Sequence, residues 1–96
     1  MNNKLTKYTR NPDFIFRRIV EEMILVPINK DIVNLDSIFS LNEVGAFIWE
    51  QLAEPVTHEE LYAAVQEEYE VSKEVVSADV DQFLAELEAY GGLHEV

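Results

Sequence analysis

The sequence predicts a small α+β domain in which short strands come first and helices follow. Two observations carry that expectation. Before position 41 the apolar residues fall in short runs rich in Ile, Val and Phe, which suit a pleated, half-buried surface. After Asn42 they recur at three- and four-residue spacing, which gathers them on one face of a helix. At 96 residues the chain has room for one modest core and not for two.

Residues 1–13 are polar, without period, and interrupted by Pro12, so they read as a flexible N-terminal arm, with residues 14–96 as the single domain. From Phe14 the run F-I-F-R-R-I-V-E-E-M-I-L-V-P-I gives two strand-like segments around Glu21 and Glu22, the pattern of a hairpin. Glu-Glu is not the Asn-Gly chemistry of a tight primed turn, so the turn type stays open. Pro27 lacks an amide donor and suits a strand end or an edge. Residues 29–36 form a loop with some extended character. A third short strand follows over Ser37, Ile38, Phe39, Ser40 and Leu41, with Ile38 and Ser40 on one face and Phe39 and Leu41 on the other.

Asn42 is a good N-cap, and Glu43 suits the positive end of the helix it starts. Val44, Ile48 and Leu52, flanked by Gly45 and Trp49, make the apolar stripe of this first helix, which Pro55 ends near Ala53. Thr57-His58-Glu59-Glu60 is a capping box opening a second helix, with Leu61, Tyr62, Val65 and Tyr69 on one face. Ser72 caps a third helix whose stripe is Val76, Val80, Phe83, Leu84 and Leu87, and Gly91-Gly92 stops it. Residues 93–96 are a short extended tail.

Composition removes several classes of function. There is no Cys, so neither a disulfide nor a thiolate metal site can form. No secretory signal or membrane-length apolar run is present, and a cytoplasmic protein is the expectation. Residues 1–36 hold six basic and five acidic side chains, whereas residues 37–96 hold fourteen acids against Lys73 alone, a net −13. Phosphate backbones and anionic membranes are bound by dense Lys and Arg, so no nucleic acid and no membrane is expected as a partner. The plain role of the acidic surface is solubility, and selection of a basic partner is the alternative.

No catalytic or metal-binding arrangement stands out. His58 and His94 are far apart without a third ligand at metal spacing, and His58 reads as a solvent-exposed neighbour of the cap. Glu67, Glu68 and Glu70 read as a solvated helix face rather than a carboxylate pair with split pKa values. Gly45 is isolated, so no phosphate-cradling loop exists. The expectation is a protein without enzymatic activity, metal or cofactor. Helix, turn, longer helix and extended tail also suggest a winged helix-turn-helix, whose third helix would enter the major groove. Here that helix presents Glu74, Asp79, Asp81, Glu86 and Glu88, so the fold would be shared without the DNA binding.

The segment L-N-E-V-G-A-F-I-W-E at residues 41–50 resembles the PqqD-like family, peptide chaperones also called RiPP recognition elements. The likeness continues through T-H-E-E-L and D-V-D-Q-F-L-A-E-L-E-A-Y-G-G-L, and more weakly through R-R-I-V-E-E-M-I-L-V-P. The resemblance implies a three-stranded antiparallel sheet packed on three helices. It implies a domain that binds the leader segment of a ribosomally made precursor peptide and presents it to a modifying enzyme, often a radical SAM enzyme, in natural product biosynthesis. The leader would add as a strand along Ser37, Ile38, Phe39, Ser40 and Leu41. Asp79, Val80 and Phe83 would line the groove beside it, with Val76 and Leu87 extending it. The competing reading of Val80, Phe83, Leu84 and Leu87 is plain core, a reading favoured for Leu84 and Leu87, whereas Asp79 has no core role. The other class to weigh is a generic protein-interaction or dimerisation module with a winged-helix fold. An unpaired edge strand also offers a homodimer.

Overall fold

The computed structural model describes residues 6–28 and 39–96. In chain order the elements are β1 (Tyr8–Arg10), β2 (Phe14–Ile19), β3 (Glu22–Pro27), β4 (Phe39–Leu41), α1 (Glu43–Gln51), α2 (His58–Tyr69), α3 (Lys73–Tyr90) and β5 (Leu93–Glu95). The α+β class and the antiparallel sheet of three strands over three helices are as expected. No helix among the described residues is long and apolar enough to cross a membrane.

β2 and β3 form the expected hairpin, in register from Phe14 opposite Pro27 to Ile19 opposite Glu22. Val20 and Glu21 are its two-residue turn. The bend is made by Val20 at φ 54, a left-handed conformation that a β-branched residue adopts at a cost. β3 is the central strand and pairs on its other side with β4, Leu25 opposite Phe39 and Met23 opposite Leu41. Ser37 and Ile38, the first two residues of the expected third strand, lie outside the described residues, as does the expected loop at 29–36.

The helix signals hold at the level of single atoms. The Asn42 side chain accepts from the Gly45 amide, Thr57 and Glu60 form the reciprocal capping box, and the Ser72 hydroxyl accepts from the Val75 amide. Gly91 closes α3 at φ 95. A Cβ on Gly92 would stand 2.7 Å from Leu87 Cδ1, so glycine is needed there to let the chain turn back against α3. One core joins the elements, with Leu25, Ile48, Leu52, Leu61, Val76, Val80 and Leu87 its fully buried members.

The N-terminal segment is the main departure from expectation. Tyr8, Thr9 and Arg10, expected in a flexible arm, are β1, and they pair antiparallel with β5, which the sequence shows only as an extended tail. The physical reason lies in the end of α1. Its last carbonyls have no partner within the helix, and its last turn holds no basic residue. The segment supplies both. Thr9 Oγ1 and the Arg10 amide donate to Leu52 O at 2.8 and 2.9 Å, and the Arg10 guanidinium donates to Trp49 O at 3.1 Å. Asn11, buried, donates from Nδ2 to Gly91 O at 2.9 Å and ties the same segment to the end of α3.

Candidate functional site

β4 has β3 on one side and no strand on the other among the described residues. It is three residues long, with Leu41 buried in the core, Phe39 half-buried and Ser40 exposed. One residue later Asn42 Oδ1 accepts from Gly45 N at 2.7 Å, so the strand's direction is locked to the first turn of α1. The open row of main-chain groups is therefore held at a set angle to the helices.

Beside it runs a groove of about 270 Å³ between the start of α1 and the middle of α3, lined by Val44, Gly45 and Ile48 on one side and Asp79, Gln82, Phe83 and Glu86 on the other. Gly45 sets its depth, because a Cβ there would stand 3.0 Å from Phe83 Cε1. The Phe83 ring meets Phe39 of β4 edge to face at 5.8 Å, and Phe39 in turn packs on Tyr90 at 5.2 Å. An aromatic wall thus stands against the inner face of the open strand. The Tyr90 hydroxyl is buried, and burial pushes its ionisation up against a smaller lowering from the Phe39 backbone. Asp79 and Glu86 make the mouth of the groove acidic.

Asp79 and Phe83 line this groove, where Phe83 meets Phe39 and Leu41 lies against Gly45, while Ser40 is exposed on β4. Val76, Val80 and Leu87 do not line it. They are 1%, 0% and 0% exposed, packed in the core, and their assignment to a groove wall is corrected on that ground. The cause is helical geometry. Val76, Val80, Leu84 and Leu87 run down the centre of α3's buried stripe, and Asp79 and Phe83 lie on its margin. Apolar character alone cannot separate centre from margin. The sequence reading does not assign Gln82 and Glu86 to the groove, although they sit three and seven residues after Asp79 on the same flank, a spacing that would have found them. Among the described residues no group of three or more His, Cys, Asp or Glu is placed to hold a metal ion.

A solved structure of TbiB1 in complex with the TbiA(beta) leader peptide is similar to this chain, with a TM-score of 0.70 and 27% identity over 90% of this chain and 94% of that one. No curated protein sequence matches. The family described as coenzyme PQQ synthesis protein D (PqqD) matches residues 22–93, from β3 through the three helices to the first residue of β5. With a match across about three quarters of its length, the chain belongs to the PqqD family.

Proposed function

We propose that this domain captures the leader segment of a ribosomally synthesised precursor peptide by strand addition to β4 and presents it to a modifying enzyme, doing no chemistry of its own. The observation that carries the reading is the open β4 edge standing beside the Phe83 groove. The likeness to TbiB1, a protein solved with a leader peptide, supports it. Backbone pairing supplies affinity that is indifferent to sequence, and the groove supplies selection of side chains. Phe83 and Phe39 offer an apolar seat, while Asp79 and Glu86 repel acidic side chains, so the favoured leader places an apolar residue on Phe83 with neutral or basic neighbours.

The finer partners are part of the same proposal. The modifying enzyme is of the radical SAM type in the simplest reading, and capture takes place in the cytoplasm. Without a leader the same edge pairs with a second copy as a homodimer. The acidic exposed side of α3 supports no role in binding duplex DNA.

A backbone scan of the leader tests the strand addition. Each main-chain bond contributes about 0.5–1.5 kcal/mol net, so N-methylation of single leader amides should weaken binding several-fold at every second position. A scan without that period of two would contradict strand addition and leave side-chain recognition alone.

A further inference from the structure

A second cavity lies on the other flank of α3. It encloses about 400 Å³ between the start of α2, the middle of α3 and the β1–β5 ribbon, and its lining includes Tyr8, His58, Glu59, Tyr62, Asp81 and Glu88. Asp81 and Glu88 follow Asp79 and Glu86 by two residues each, which is about 200° around a helix. The groove and this cavity therefore sit on opposite flanks of the buried stripe, and both can be filled at once.

The walls are aromatic and the charge is negative. The Tyr8 and His58 rings meet at 5.3 Å and 63°, and those of His58 and Tyr62 at 6.0 Å and 90°, so three rings edge one space in different orientations. Asp81 is held among them. Tyr62 Oη donates to its Oδ1 at 2.5 Å and His58 Nδ1 donates to the same oxygen at 2.9 Å. Glu59 already has a surface partner, Lys73 at 3.7 Å. Burial raises the Tyr8 ionisation, and Glu95 and Glu88 raise it further, which supports Glu88 facing the same space.

We propose that this cavity is a docking pocket for an arginine side chain of a partner protein. Ring faces attract a cation, and the Asp81 and Glu88 carboxylates of α3 accept its hydrogen bonds. Arginine fits better than lysine because its planar, weakly hydrated guanidinium stacks on rings and carries five donors, whereas an ammonium is a compact and strongly hydrated point charge. The occupant's sign also follows from the lining, whose carboxylates are Glu59, Asp81 and Glu88 and which holds no Lys or Arg among the described residues. A partner anchored here touches α2, α3 and the ribbon and leaves β4 open. The assignment does not depend on what β4 binds.

The test uses the full chain, isotope-labelled, titrated with N-acetyl-arginine amide and with its neutral, shape-matched citrulline counterpart. The arginine probe should move the resonances of Tyr8, His58, Tyr62 and Asp81 saturably, and citrulline should not. Glu88→Gln, an exposed position, should weaken the arginine probe about two- to five-fold at an unchanged melting temperature. Equal response to citrulline would overturn the proposal, as would shifts spread over all the acidic helices and indifferent to Glu88→Gln, or no saturable shift at these residues. Tighter binding of N-acetyl-lysine amide would overturn the choice of arginine.

Discussion

The sheet has two outer strands, and they are built differently. β2 is six residues long and ends in Arg17, Arg18 and Ile19, all exposed, before a strained and exposed turn. Charged side chains on an outer strand discourage another chain from pairing with it. β4 is three residues long, carries no charge, runs straight into the cap of α1, and has the Phe83 groove beside it. An edge becomes a binding site when its neighbours both leave it open and discriminate among what arrives. In the proposed reading β4 meets both conditions, whereas the arginines of β2 guard against pairing.

The largest effect should separate the wall of the groove from the core behind it. Val80→Asp places a charge at a position with no exposure, and it should unfold the domain outright, at a cost of several kcal/mol. Phe83→Ala removes a half-buried ring and should cost about 1–3 kcal/mol, less than the ~3–5 of a fully buried one. It should keep a cooperative melt and lose most leader binding. Thermal melts with peptide titration check both, and a Phe83→Ala protein that binds leader normally would remove the groove from the account.

A smaller effect belongs to the β2 side. Val20 is 90% exposed and packs on little, so Val20→Gly relieves its positive φ and should stabilise the domain by about 0.5–1 kcal/mol in denaturant titration. Leader affinity should stay unchanged. A loss of affinity would mean that the hairpin end takes part in binding.

Helix starts and stops were legible because each is a local contract between a few neighbouring residues. Asn42, Thr57 with Glu60, Ser72 and Gly91 all serve the roles that their types and spacing announce. β1 was not legible. Its three residues are ordered by the carbonyls of Trp49 and Leu52 some forty positions away, and no local pattern encodes that pairing. The site was half legible for a related reason. A helical stripe shows which side faces inward, but placing Asp79 on the margin and Val80 at the centre requires knowing where α1 lies against α3. His58, read from sequence as a solvated neighbour of the cap, proves to bond Asp81, 23 positions on, for the same reason.

The smallest effect is a control on the helices that hold both flanks of α3. The Thr57 amide donating to Glu60 holds that carboxyl below its ordinary value. A lowered folded-state value means a contribution that is present above the ordinary glutamate pKa and lost as pH falls through the folded one. Glu60→Gln keeps an acceptor without titrating. The stability difference between the two proteins should therefore be constant near neutrality and change only below about pH 4.5. A difference that changes between pH 6 and 8 would assign the dependence to another group.

Amide hydrogen exchange, measured on dilute protein with and without the leader, tests the central claim most directly because it reports β2 and β4 in one experiment. Strand addition at β4 predicts that alternate amides among Phe39, Ser40 and Leu41 exchange freely at first and gain at least about ten-fold protection with peptide, as hydrogen-bonded edge amides do, while the outward amides of β2 do not change. Protection gained along β2 instead, or β4 amides already as protected as those of β3 in the free protein, would contradict it.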